Sequence, residues 1–218
     1  MRRLYLSAVL FAASLHASFA AAATPEELTA FFRAVQLNDS KKVEEMVGKV
    51  VNANELNPLG GEPALVLAVR EGSMGVFQSL LAHPGTDLEA TAMNGNTALM
   101  MAAYKRNKPA AEALLARGAQ VNRSGWTALH YAAASGDEDI ARLLIAKKAK
   151  LDAMSPKASG SYTPLMMAAR EGHEAMVRLL LGQGANPRLK NGEGLTAVQI
   201  AERAERADIV RAIVGAAR

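Results

Sequence analysis

Residues 163–172, Thr163-Pro164-Leu165-Met166-Met167-Ala168-Ala169-Arg170-Glu171-Gly172, decide the fold, because close copies of this word recur along the chain. It returns as Thr127-Ala128-Leu129-His130-Tyr131-Ala132-Ala133-Ala134-Ser135-Gly136 and as Thr97-Ala98-Leu99-Met100-Met101-Ala102-Ala103. Weaker copies begin at Pro63, Thr196 and Thr29, so the origins lie 34, 34, 30, 36 and 33 residues apart. The columns agree. Two places after each origin stand Phe31, Leu65, Leu99, Leu129, Leu165 and Val198; five places after stand Ala34, Ala68, Ala102, Ala132, Ala168 and Ala201. Further on come apolar pairs: Met46-Val47, Leu80-Leu81, Leu114-Leu115, Leu144-Ile145, Leu180-Leu181 and Ile213-Val214.

Elementary helix chemistry explains the pattern. Threonine caps a helix start and proline suits the first turn, so Thr163-Pro164 opens a short helix. Leucine and alanine three places apart share one face of it. Gly72, Gly136 and Gly172 are placed to end that helix in the left-handed region. A second helix follows with apolar spacing, as in Ile140, Leu143 and Leu144, and Gly118-Ala119 and Gly184-Ala185 close it. Gly95, Gly125, Gly160 and Gly192 are expected in tight turns leading to the next copy. One such unit cannot bury its own apolar side, so the copies must stack.

This arrangement resembles the ankyrin repeat, most closely at Thr127-Ala128-Leu129-His130-Tyr131-Ala132 and at Thr163-Pro164-Leu165-Met166-Met167-Ala168. The resemblance spans residues 24–218. It implies an all-α ankyrin-repeat solenoid of about six stacked helix-turn-helix repeats, starting near 29, 63, 97, 127, 163 and 196, with β-hairpin-like fingers at right angles. The outer copies depart as caps should: Asn38-Asp39-Ser40-Lys41-Lys42 is polar, and Glu202 and Glu205 stand in an alanine and a glycine column. The finger at Asn122-Arg123-Ser124-Gly125 is short, and the one at Ser155–Ser161 is long.

Before the repeats, Arg2-Arg3, the apolar run Leu4–Ala13, and Ser18-Phe19-Ala20 followed by Ala21-Ala22-Ala23 read as a secretory signal peptide over residues 1–23, cleaved after one of Ala20 to Ala23. The apolar run is short for a membrane span, which needs roughly 20 residues. The mature protein is therefore expected in a bacterial periplasm or secreted. With half of the 218 residues hydrophobic and 21% charged, the composition is globular, and aromatics at 5% favour helices over a β-sandwich. The absence of cysteine excludes disulfides, cysteine-bound zinc, iron–sulfur clusters and thiol catalysis. A net charge of +4, half of it from Arg2 and Arg3, gives no footprint for nucleic acid.

Chemistry-bearing residues mostly fall into repeat columns. His130 occupies the Thr-x-Leu-His slot, which the resemblance makes a scaffold hydrogen bonder. His173 opens a second helix, His83 lies in a loop, and His16 leaves with the signal. None has a partner at metal-ligand spacing. Gly192-Glu193-Gly194-Leu195-Thr196-Ala197 spells a dinucleotide fingerprint but lacks a βαβ setting. Asp137-Glu138-Asp139 suits a helix start. Met100-Met101 and Met166-Met167 read as packing, and as adaptable contact surface second. No cofactor or metal is expected, and no catalytic residue is nominated.

One constellation remains. Trp126 and Tyr162 precede their threonine origins, at finger exits, while Tyr131 and Tyr104 lie on first helices. Trp and Tyr anchor interfaces because one end is apolar and the other hydrogen-bonds. The resemblance puts fingers and first helices where partners dock, with Lys105, Arg123, Arg170, Glu171 and Arg70 as a polar rim. The expected function is a non-catalytic, monomeric protein-binding module that protects or inhibits an envelope enzyme or a toxin. The alternatives are self-association through Ile209–Val214 and, further off, an enzyme or small-ligand binder.

Overall fold

A computed structural model describes residues 22–216, so the signal-peptide reading lies almost wholly outside the described residues. Among the described residues there are twelve α-helices and no extended strand. They fall into six consecutive pairs: α1 (Pro25–Gln36) with α2 (Ser40–Met46), α3 (Ala64–Glu71) with α4 (Met74–Ala82), and α5 (Ala98–Tyr104) with α6 (Lys108–Ala116). The series continues with α7 (Ala128–Ser135) and α8 (Glu138–Ala146), α9 (Pro164–Glu171) and α10 (Glu174–Gly182), and α11 (Ala197–Arg203) and α12 (Ala207–Ala216). Each first helix packs on the first helices beside it in the series, and second helices meet second helices at α2–α4, α6–α8, α8–α10 and α10–α12.

The threonine columns do what their chemistry requires. Thr97, Thr163 and Thr196 accept the backbone N–H of Met100, Met166 and Gln199 through their hydroxyls, at 3.3–3.4 Å. Behind them Leu65, Leu99, Leu129 and Leu165 are buried, with Ala68, Ala102, Ala132 and Ala168 at helix contacts. Each buried leucine contributes about 1.5–3 kcal/mol of apolar transfer free energy. Asn38, Gly72, Arg106, Gly136, Gly172 and Glu205 all hold the left-handed conformation between the paired helices, with φ from 56° to 84°. Three of the six therefore adopt without glycine a conformation that costs other residues roughly 1 kcal/mol.

Several expectations are corrected. Thr29 does not start a helix: α1 begins at Pro25, capped by Thr24, whose hydroxyl accepts the Glu27 N–H while the Glu27 carboxylate accepts the Thr24 N–H. A complete capping box outcompetes a lone threonine one turn later. Pro63 has no hydroxyl and caps nothing. Gly192 lies in the tight turn of the last finger, as expected, while Gly194 there carries the positive φ; in the long finger Ser161 shares the left-handed conformation with Gly160. The fingers are tight turns rather than paired strands, most closed by one backbone bond, such as Ala92 N–H to Asn96 O at 2.9 Å and Ser155 N–H to Tyr162 O at 2.8 Å. The three extra residues of the long finger form a single 3₁₀ turn at Lys157–Ser159. Side chains tie finger bases together: Asn54, Asn122 and Asp152 each accept a backbone N–H from the following repeat, at Asp87, Lys150 and Asn186.

Candidate functional site

The first-helix position seven places after each origin carries Arg70, Tyr104, Ala134, Arg170 and Arg203 in successive repeats from the second to the sixth. In the fourth repeat the side chain is a methyl group between two long neighbours. A hollow of about 400 Å³ opens there, with Tyr104, Ala134, Arg170 and Glu171 around it, and Trp126, His130, Tyr131 and Met167 completing its lining. Trp126 and Tyr131 are half-buried and Tyr104 is 54% exposed, so the rings form a wall rather than core.

Their geometry is interlocked. The Tyr104 and Tyr131 rings stand edge to face at 6.1 Å and 86°, and Trp126 lies 6.1 Å from Tyr131 and 5.2 Å from the His130 ring. Such contacts favour aromatic order beyond simple area burial. The Tyr131 hydroxyl donates to Asn96 Oδ1 at 2.5 Å. Burial raises the Tyr131 phenol, which keeps it protonated.

His130 sets the wall from below. Its Nδ1 accepts the Thr127 N–H at 3.2 Å, which leaves the proton on Nε2 to donate to Tyr162 O at 3.0 Å. The ring thereby joins one repeat to the finger entering the next. Burial pushes its pKa down to about 4, so it is neutral at physiological pH. Both nitrogens are engaged inside the scaffold, an arrangement suited to positioning and not to proton transfer.

The other nominated residues distribute as follows. Tyr162 is half-buried, with the Arg170 guanidinium 5.2 Å above its ring centroid, and Arg170 also donates to Glu171 at 2.9 Å. Lys105 follows Tyr104 directly as the exposed C-cap of α5. Arg70 lies one repeat earlier, on Glu62 at 2.8 Å and Glu71 at 2.9 Å. Arg123 pairs with Glu89 at 3.5 Å in a finger. Neither Arg70 nor Arg123 lines the hollow. Met100, Met101, Met166 and Met167 are buried, as packing residues should be, though Met167 reaches the hollow.

Sequence reasoning missed Ala134, because a vacancy has no residue type to notice. It also missed Glu62, buried under Arg70 with a carboxyl raised by desolvation that the arginine only partly offsets. Exposed apolar fingertips escaped it too: Leu59 is 94% and Met93 84% exposed on adjacent fingers linked by Met93 N–H to Gly61 O at 3.0 Å. His83 lies elsewhere, in a separate hollow of about 450 Å³ beside Gly48, Val51 and Ala23. Among the described residues no three His, Asp or Glu side chains are grouped to hold a metal, and no helix is long and apolar enough to cross a membrane.

Comparison with known proteins agrees with this architecture. Profiles of ankyrin repeats match residues 65–155 (three copies) and 157–201 (many copies). The chain is 38% identical over 105 residues to protein fem-1 homolog A-like of Mus musculus, covering 47% of this chain and 15% of that protein. It is 35% identical over 96 residues to palmitoyltransferase Hip14 of Drosophila melanogaster, covering 39% and 15%. The chain thus spans about a seventh of the length of these relatives. A solved structure of far more similar extent is the predatory endopeptidase Bd0816 of Bdellovibrio bacteriovorus in complex with immunity protein Bd3460. Its matching chain superposes with a TM-score of 0.72 at 28% identity, over 85% of this chain and 97% of that one.

Proposed function

We propose that this chain, which belongs to the ankyrin-repeat family, holds a single exported enzyme by stoichiometric contact along its first helices and fingers, and thereby restrains or protects that enzyme. Ankyrin repeats bind protein partners and are in general non-catalytic, so the premise supplies the class of action. The observation that carries the rest is the wall of Trp126, Tyr104 and Tyr131 around the hollow beside Ala134. Rings left partly in water around a hollow are anchors suited to a complementary surface.

Two further observations favour an inhibitory or immunity role. The similar solved structure, matched over nearly its whole length, comes from a complex of an immunity protein with an endopeptidase. The N-terminal Arg2-Arg3, apolar run and alanine cluster read as an export signal, which supports a periplasmic or secreted site of action. A peptidase of the cell envelope is therefore the partner class. Affinity capture from the host's envelope fraction, followed by titration of the captured enzyme, tests this. Activity should fall linearly to an end point near one equivalent, and Trp126→Ala combined with Tyr162→Ala should shift that end point out of the stoichiometric range. Undiminished capture by the double variant would place the contact elsewhere.

A weaker second reading rests on Val214, 45% exposed on the terminal helix α12. Pairing of two copies through that end would appear as a dimeric mass at micromolar concentration; a constant monomeric mass removes it.

A further inference from the structure

The hollow has a shape and a chemistry that specify what enters it. Seven places after the origin, the second, third and fifth repeats carry Arg70, Tyr104 and Arg170, all long side chains; in the fourth it is Ala134, and Tyr104 and Arg170 border the hollow there. The column is missing one large side chain. A partner residue inserted there would complete it, flanked by Tyr104 on one side and Arg170 on the other, with Tyr131 and Met167 beneath.

Electrostatics narrows the choice. Arg170 already covers the Tyr162 ring with one side of its guanidinium, and it also lines the hollow, whereas Tyr162 does not. A planar cation therefore borders the vacancy, and such a group favours the electron-rich face of a ring. Opposite, Tyr104 is held edge to face on Tyr131 and can offer an incoming ring a similar contact. A thioether below adds a favourable sulfur–aromatic contact. A cationic side chain would meet Arg170, whose charge already offsets Glu171, the one acidic residue lining the hollow. A carboxylate would have to give up water against Trp126, Tyr131 and Met167 while the nearest guanidinium is already shared with Glu171.

We propose that the vacancy at Ala134 is a socket for one aromatic side chain of the partner, stacked between Arg170 and Tyr104. This rests on the docking face described above and adds to it the chemistry of the central contact. The chain contains a single tryptophan, Trp126, on the wall of this hollow, so its emission reports occupancy directly.

The test is a titration of the purified protein with N-acetyl-phenylalaninamide, exciting at the red edge of indole absorption, alongside the leucine, arginine and glutamate amides. The phenylalanine amide should give a saturable change in Trp126 emission at least about tenfold tighter than any of the other three, a difference of about 1.4 kcal/mol. Ala134→Tyr should plug the socket and abolish the response; Arg170→Lys, which leaves the hollow open, should weaken it several-fold. Absence of a saturable response, equal response to leucine amide, or an unchanged response in Ala134→Tyr each overturns the socket. Partner capture separates the two levels of inference. If Trp126→Ala with Tyr162→Ala releases the partner while Ala134→Tyr retains it, the docking face stands and the socket falls. If both variants retain it, both fall.

Discussion

On the second helices, Glu138 meets Arg142 and Glu174 meets Arg178 one turn apart, at 3.3 and 2.6 Å, and Lys108 crosses to Asp139 at 3.1 Å. On the first helices and finger exits of the middle repeats, the corresponding exposed ground is taken by Tyr104, Tyr131 and Trp126. Both sides grow from the same repeat and share the same leucine and alanine core. The outer row is content with water: its ion pairs are exposed, screened by salt, and each worth little. The inner wall keeps ring area half in solvent and has a gap that none of the described residues fills. One side is finished in the free protein; under the proposed function a partner finishes the other.

That contrast is broken first by attacking what the two sides share. Leu129→Ala empties a fully buried site behind the wall and should cost about 2–5 kcal/mol, read as a lowered denaturant midpoint, with loss of any partner contact as the stack loosens. Next comes acidification. His130 has a folded pKa near 4 against an ordinary 6.5, so below pH about 6.5 the unfolded chain takes up a proton that the folded chain refuses. Its contribution is complete at neutral pH and is lost as pH falls through 6.5 toward 4, amounting to about 3 kcal/mol. His130→Gln should flatten that part of the pH–stability curve, because Gln199 already accepts the Thr196 N–H in the equivalent slot.

A change confined to the inner wall should separate binding from folding. Trp126→Ala with Tyr162→Ala is expected to cost about 2 kcal/mol or more in partner affinity and less than that in thermal stability, measured by calorimetry of each on the same sample. The smallest effect belongs to the outer row. Glu174→Ala should alter stability by only about 0.3–0.5 kcal/mol and leave partner affinity unchanged; a large effect on binding would move the docking face to the second helices.

Much of this was legible in the sequence because stacking imposes columns. Thr97, Thr163 and Thr196 cap helices, Gly72, Gly136 and Gly172 turn them, and the leucines and alanines go inside, each for a reason visible in one residue and its spacing. What escaped was competition and absence. Thr29 matched a column, but Thr24 with Glu27 made the better cap. The four aromatics were identified as a set, and Trp126, Tyr104 and Tyr131 do converge; Arg70 and Arg123 are instead held by Glu62 and Glu89, acidic partners whose approach depends on the finger geometry. Ala134 reads as one more small residue in a run of three, and its meaning comes only from Tyr104 and Arg170 standing on either side in three dimensions.

The helix pairs lean only on the pairs beside them, with finger bases laced by Asn54, Asn122 and Asp152. A rod assembled this way frays from its ends inward, like a stack of coins loosened from the top. A partner gripping Tyr104 in the third unit and Tyr162 at the entrance to the fifth would act as a splint across the middle, so that amide protons there become the slowest to exchange while the terminal units go on opening as before.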